Sequence, residues 1–136
     1  MAILEKAILV KFFKLFTVAV FISATSVAFA ERINNEIAVF SALEKVTAII
    51  QTIEIPINET KKFGVFEVTP RVCYSRSATE RPQTTSFIEI DEISTDETER
   101  KRIFTGWMFA SSPGLHAVEH PVYDIWLIDC KRAATE

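Results

Sequence analysis

The sequence lacks any sustained helical periodicity after residue 30. No window there repeats apolar residues at the spacing of an amphipathic helix. Helices of that kind are needed to connect parallel strands, so their absence excludes a parallel α/β fold. Short apolar runs broken by turn residues take their place and would make about seven strands. They predict an all-β domain, either a small antiparallel β-sandwich or an open barrel.

The chain also lacks an excess of basic residues. Its 15 Lys and Arg are outnumbered by 18 Asp and Glu, for a formal net charge of −3. Without the first 30 residues, 12 basic residues remain against 17 acidic ones. Nucleic-acid binding depends on Lys and Arg side chains that neutralise phosphates. Nucleic acid is therefore excluded as a partner.

No uncharged run in the sequence is long enough to span a bilayer. Lys11 and Lys14 interrupt the apolar N-terminal segment and leave about sixteen uncharged residues, fewer than the ~20 that a spanning helix needs. A basic start, an apolar stretch over 15–24 and the small-x-small box Ala28-Phe29-Ala30 are typical of a cleaved signal peptide. We therefore predict a signal peptide over 1–30.

Export defines the expected location and organisation of the mature chain, which would begin at Glu31. No cysteine near residue 30 could carry a lipid anchor, so we expect membrane contact only through the signal segment during export. We predict a periplasmic protein, with release beyond the cell to a host as the alternative. Residues 31–36 are polar and predict a flexible leader. A single β domain over 37–132 and a tail over 133–136 follow.

Cysteine is scarce, and both Cys73 and Cys130 lie in the exported part. An even count in an oxidising compartment predicts one disulfide, with a Cys-ligated metal or two free thiols as alternatives. Closing a loop of this span would stabilise the fold by roughly 4 kcal/mol. Simple alternation places Cys73 beside Arg71, away from the apolar face of its strand. The pairing therefore needs a bulge near Pro70, a residue that itself favours an edge or bulged strand.

The only helical signal in the domain is short. Ser112 suits an N-cap and Pro113 the first helical position, so the sequence predicts one short helical turn near 113–120, ended by Pro121. Ser111 and Ser112 are not surrounded by the G-x-S-x-G elbow of a nucleophile. A turn and a cap explain both serines.

One motif inside this segment has the order of a metal site. Residues 116–120 read H-x-x-E-H, as in inverted zinc peptidases, whose ligands four residues apart share one face of a helix. Such a site needs a longer helix and a further ligand downstream, where few residues remain. We expect no metal or cofactor. A small enzyme or metal-binding protein that uses His116, Glu119, His120 and Asp124 stays an alternative.

Aromatic residues beside the Ser-Ser-Pro-Gly turn indicate a contact surface. Trp107 and Phe109 share a strand face, and dense aromatics next to a rigid turn are typical of binding sites. Trp126 is in phase with Cys130 and is predicted to pack in the core beside the disulfide. A buried Asp124 would need a partner, with Arg71, His120 or the turn amides as candidates. The predicted binding residues are Trp107, Phe109, Ser112, Pro113, His120, Tyr123 and Asp124.

Several blocks of the mature domain resemble one family. They read LEKVTAIIQTIEIPINETKKFGVFEV, RVCY, FIEIDE, GWMFASSP and HPVYDIWLIDC. In these blocks the chain resembles DUF2155, a family of exported alphaproteobacterial proteins of unknown function. The resemblance implies periplasmic export and a single small domain, without an assigned activity or catalytic residue. His120-Pro121 belongs to the family pattern and His116 does not, which weakens the paired-histidine zinc site.

The sequence thus predicts a noncatalytic periplasmic β domain that binds another envelope component, protein or glycan, through its aromatic turn surface. A small periplasmic enzyme and a factor exported to a host are the alternatives.

Overall fold

The computed structural model of the chain describes residues 2–22 and 31–134. The described residues form one helix and nine strands. The sequence predicts about seven strands, and the additional ones are among β1, β4 and β8, which are too short to leave a clear sequence pattern. The elements are α1 (Ala2–Ile22), β1 (Arg32–Asn35), β2 (Ile37–Glu44), β3 (Ile49–Pro56), β4 (Lys61–Phe63), β5 (Phe66–Arg76), β6 (Thr85–Ile93), β7 (Arg100–Phe109), β8 (Val118–Glu119) and β9 (Tyr123–Lys131).

The strands form two antiparallel sheets, so the predicted all-β sandwich is confirmed. The first sheet has the order β1-β5-β6-β7, with β4 also paired to β5, and the second has the order β3-β2-β9-β8. Inward-facing apolar side chains of both sheets make one core. Its largest fully buried members include Phe40, Phe66, Ile88, Ile90, Met108, Ile125 and Leu127.

The N-terminal helix α1 carries exposed apolar side chains, such as Leu9 and Phe12, at 74% and 72% exposure. Within the described ranges, no helix combines the length and the hydropathy needed to cross a membrane. The predicted cleavage box Ala28-Phe29-Ala30 lies outside the described residues.

A β-bulge interrupts β5 at the proline that the sequence marks as awkward. Pro70 pairs with Ile88 and Val72 with Phe87, so Arg71 has no partner across β6. One extra residue reverses the inward and outward alternation beyond it. Val68 and Cys73 are consequently both buried, although they are five positions apart, an odd spacing that unbroken alternation would place on opposite faces.

A second bulge has the same effect on β9. Val39 pairs with Asp129 and Phe40 with Leu127, so Ile128 has no partner across β2. Ile125 and Leu127 are buried, Ile128 is exposed, and Cys130 returns to the interior. Each cysteine therefore reaches the core because a bulge lies just before it.

The predicted disulfide is confirmed. Cys73 on β5 and Cys130 on β9 are bonded, with their Cα atoms 5.7 Å apart. The bond joins the two sheets of the sandwich across the core. It therefore restrains the sheets relative to each other as well as the chain between the two residues.

Three details of the sequence prediction are wrong. The flexible leader over 31–36 contains β1, which pairs with β5, and buried Asn35 donates a hydrogen bond of 2.9 Å to Ser75 Oγ. The helical turn near 113–120 is instead a β-turn, with Leu115 N donating to Ser112 O, followed by β8. Ser112, Pro113 and Gly114 favour a turn over a helix that has no tertiary face to bury.

Trp126 is the third correction. The bulge at Ile128 puts Trp126 on the face opposite Ile125 and Leu127, where it lies beside Ser41 and is half-buried. Simple alternation from Cys130 counts through the bulge and so assigns the wrong face.

Candidate functional site

The outer face of the first sheet carries a stacked aromatic group. The rings of Tyr74 and Trp107 are stacked with centroids 6.1 Å apart and an interplanar angle of 26°. The ring of Phe87 meets Trp107 edge to face at 5.5 Å, and the Arg32 guanidinium lies 4.8 Å from the centre of the Tyr74 ring. Contacts of these kinds each contribute about 0.5–1.5 kcal/mol and hold the rings in place.

Strand register explains why these side chains meet. Phe87 on β6 pairs directly with Trp107 on β7, and Tyr74 on β5 pairs with Thr85. The bulge at Arg71 turns Tyr74 outward toward these neighbours, whereas unbroken alternation would place it in the core. The same irregularity therefore buries Cys73 and exposes the ring next to it.

A groove of about 450 Å³ opens beside the stacked rings. We call it the aromatic groove. Trp107 remains 39% exposed there, which is high for a tryptophan in a folded domain. The residues that line the aromatic groove are Glu31, Arg32, Tyr74, Ser75, Arg76, Gln83, Thr85, Trp107 and Phe109.

The aromatic groove continues into a shallower depression. This second space shares Arg76 and Gln83 with the first and extends past Arg81 to Ser111. Arg76 is paired with Glu80 at 3.1 Å. The two spaces adjoin through these shared residues and reach from the stacked rings to the loop after β5; we call them together the channel.

The same sheet face becomes a ladder of ion pairs further from the groove. Arg71 donates hydrogen bonds of 2.9 and 2.7 Å to Glu89 Oε2, and Arg102 reaches both Glu89 and Asp91. The hydrogen bonds from Arg71, with a smaller contribution from Arg102, hold the pKa of Glu89 below its ordinary value. These charges are paired with one another, so the ion-pair ladder has fewer free groups for binding a ligand than the groove has.

His120 and Tyr123 belong to a different part of the molecule. The His120 ring meets Phe66 edge to face at 5.6 Å and stacks on Tyr123 at 5.8 Å. His120 Nδ1 accepts a hydrogen bond of 3.1 Å from Val122 N, so its proton resides on Nε2, which lies 3.4 Å from Glu92 Oε1. These contacts close one end of the sandwich and give both residues a structural role.

Asp124 has a partner that the sequence analysis does not name. Lys45 Nζ lies 2.7 Å from Asp124 Oδ1 and donates a hydrogen bond of 3.0 Å to His120 O. Lys45 thereby ties the β2–β3 turn to the β8–β9 hairpin. We therefore assign Asp124 a structural role as the ion-pair partner of Lys45.

The predicted binding residues are therefore divided between separate places. Trp107 and Phe109 line the aromatic groove, whereas His120, Tyr123 and Asp124 lie at the end of the sandwich and on the second sheet. Ser112 and Pro113 form the turn between these regions, and the His116 ring lies 5.7 Å from Phe109.

The H-x-x-E-H motif does not have the helical geometry that its metal-binding role requires. Residues 118–119 form β8, so His116 and His120 do not share a helix face. Among the described side chains, which do not include that of Glu119, no group of three or more His, Cys, Asp or Glu could hold a metal ion.

Comparison with known proteins identifies the family. A model described as "Uncharacterized protein conserved in bacteria (DUF2155)" matches residues 38–130. The chain belongs to the DUF2155 family. This DUF2155 chain is also 33% identical over 89 residues to "Uncharacterized protein RP359" of Rickettsia prowazekii (strain Madrid E). The match covers 65% of this chain and 57% of the relative, so the chain spans just over half of the relative's length. No solved structure matches the chain.

The residues matched by the DUF2155 model contain most of the aromatic groove. Tyr74, Gln83 and Trp107 lie within them, together with both cysteines, whereas Arg32 on β1 lies before them. Sequence reasoning missed Tyr74 because alternation put it in the core, and missed Arg32 because its segment looked unstructured. The suspected bulge at Pro70 was the signal that could have exposed Tyr74.

Proposed function

We propose that this protein is an exported, noncatalytic binding domain that holds a component of the bacterial envelope in the aromatic groove. The observation that carries the proposal is the stacked pair Tyr74 and Trp107, which is fixed by its neighbours and still exposes the indole. Rigid aromatic side chains supply contact area at little cost in conformational entropy, which makes them effective binding anchors.

The surroundings of the candidate catalytic residues support binding over catalysis. His116 lies against Phe109, His120 packs between Phe66 and Tyr123, and Asp124 pairs with Lys45. A nucleophile or general base needs a partner within hydrogen-bonding reach of a reacting group. These three side chains are instead engaged in three separate contacts.

Export has its own support and its own test. A disulfide between the sheets fits an oxidising compartment, and the N-terminal sequence fits a signal peptide. We expect the osmotic-shock fluid from cells that express the full chain to contain the protein. Its intact mass should equal that of a chain that begins at Glu31. Recovery from the culture medium would favour a factor released to a host, and recovery from membranes with Met1 retained would refute cleavage.

The aromatic groove is tested by exchanging one tryptophan at a time. Protein recovered from the periplasm is mixed with isolated envelopes of the producing bacterium, and the fraction that sediments is measured against envelope concentration. We expect Trp107→Ala to raise the apparent dissociation constant by about tenfold, because loss of an aromatic anchor typically costs more than ~1 kcal/mol.

Trp126→Ala is the matched control for this measurement. It removes the same ring from the outer face of the second sheet, and we expect envelope binding to stay as in the unmodified protein. Equal binding by the Trp107→Ala variant and the unmodified protein would refute the groove as the binding site, provided that both melt at similar temperatures.

A further inference from the structure

We propose that the occupant of the aromatic groove is an acidic envelope polysaccharide whose sugar rings carry carboxylates. This inference rests on the proposed function and adds the chemical class of the ligand. Three features of the groove support it: its exposed ring face, its unpaired cations and its position on the sheet.

The exposed indole suits a sugar ring. A pyranose has a flat patch of C–H groups on each face and hydroxyl groups around its rim. Trp107 offers an apolar surface of matching shape, while Gln83 and Thr85 lie nearby with groups that can hydrogen-bond hydroxyls. A site with one apolar platform and several polar side chains at its rim binds amphipathic ligands of this kind better than purely apolar ones.

The charges around the groove favour an anion. Most basic residues after position 30 are paired with a carboxylate, including Lys45, Lys62, Arg71, Arg100 and Arg102. Arg32 and Arg81 have no carboxylate within ion-pairing distance among the described side chains, and both line the channel. The lining also contains Arg76, Glu31 and Glu80, of which Arg76 and Glu80 pair with each other. On a domain with net negative charge, three arginines against two carboxylates still make the channel locally basic, which attracts carboxylates. Arginine is well suited to bind them because its guanidinium forms bidentate hydrogen bonds.

The position of the channel argues against an extended peptide. Peptides that add to a sheet use the free backbone groups of an edge strand. Tyr74 and Thr85 lie on the interior strands β5 and β6, whereas Arg32 and Trp107 lie on the end strands β1 and β7, so the groove crosses the face of the sheet and does not follow one edge. The groove therefore presents mainly side chains, and two adjoining spaces lined by side chains can accommodate successive sugar rings.

The test uses defined oligosaccharides and the intrinsic fluorescence of the groove. In a Trp126→Phe background, Trp107 is the remaining tryptophan and reports directly on the site. Tetrasaccharides of galacturonate and of mannuronate are titrated at low salt, each against the same sugar with its carboxylates reduced to alcohols. We expect the acidic sugars to shift the Trp107 emission and to bind about tenfold more tightly than their neutral forms. A glutamate tetrapeptide is titrated in the same way to test whether the groove binds an acidic peptide instead.

Charge variants separate the groove from general attraction. We expect Arg32→Gln with Arg81→Gln to weaken binding of the acidic sugars by about tenfold and to leave the neutral forms unchanged. Lys101→Gln with Arg132→Gln removes two cations from elsewhere and should have little effect. Equal binding of acidic and neutral sugars, preference for the glutamate peptide, or no response to either acidic sugar would each overturn the inference. If envelope sedimentation still depends on Trp107 in that case, the proposed function stands; if it does not, both fail.

Discussion

Reduction of the Cys73–Cys130 disulfide should lower the melting temperature of the domain by roughly 15 to 30 °C. The two cysteines are 57 residues apart in the sequence. Opening a loop of that length returns conformational freedom to the unfolded chain worth about 4 kcal/mol, a large part of the stability of a small domain. The measurement is a calorimetric melt of the oxidised protein with and without a thiol reductant.

The variant Cys73→Ala with Cys130→Ala provides the control for reduction. It should melt near the reduced protein and should not respond to the reductant, because it has no bond left to break. A reductant that lowers the melting temperature of this variant acts through something other than the disulfide. An oxidised and a reduced protein that melt at the same temperature would contradict the assigned contribution of the bond.

The disulfide also connects stability with the proposed binding site. Cys73 is buried and adjacent to Tyr74, whose ring forms part of the aromatic groove. The bulge at Arg71 sets the direction of both side chains, with Cys73 facing inward and Tyr74 facing outward. Next to the bulge, Ser86 Oγ donates a hydrogen bond of 2.6 Å to Val72 O. The bond therefore restrains the strand segment that presents the stacked rings.

Sequence reasoning is most successful where local patterns decide the structure. The sequence predicts the hairpin strands around Phe87–Ile93 and Ile103–Phe109 to within a few residues of β6 and β7, although a bulge at Ile103 shifts their pairing. The disulfide follows from the even number of cysteines together with the predicted export. These features need no knowledge of register, because one strand or one pair of cysteines carries the signal.

Register is what the sequence does not show. Two single-residue bulges reverse the alternation of β5 and β9, so Tyr74 moves to the surface and Trp126 leaves the core. Pro70 gives a hint of the first bulge because proline cannot donate to the strand ladder. Nothing comparable stands near Ile128. The local sequence likewise does not predict the short strand β1, because pairing with β5 and not its own apolar content makes the segment a strand.

The turn between β4 and β5 depends on a glycine for two independent reasons. Gly64 has a φ of +55°, a backbone conformation that side chains with a Cβ rarely adopt. A Cβ placed on it would also lie 2.6 Å from Cζ of Tyr123. The Tyr123 ring contacts Phe63 and Phe66 edge to face, so it has little room to move away.

Gly64→Ala should therefore lower the free energy of unfolding by about 2 to 4 kcal/mol, of which ~1–2 kcal/mol comes from the left-handed backbone and the rest from crowding. Urea unfolding of the oxidised protein measures the change. The same substitution in a Tyr123→Leu background should cost only the backbone part, because the smaller side chain leaves space for the added methyl group.

Gly114→Ala is the matched control, because no heavy atom lies within 4 Å of a Cβ at that position and its φ is outside the left-handed region. Its unfolding free energy should stay within about 1 kcal/mol of the unmodified protein, with any change toward greater stability. Equal costs for Gly64→Ala with and without Tyr123 would show that the ring yields freely and that backbone conformation alone fixes the glycine. A cost near zero in both backgrounds would contradict the packing of Tyr123 against the β4–β5 turn.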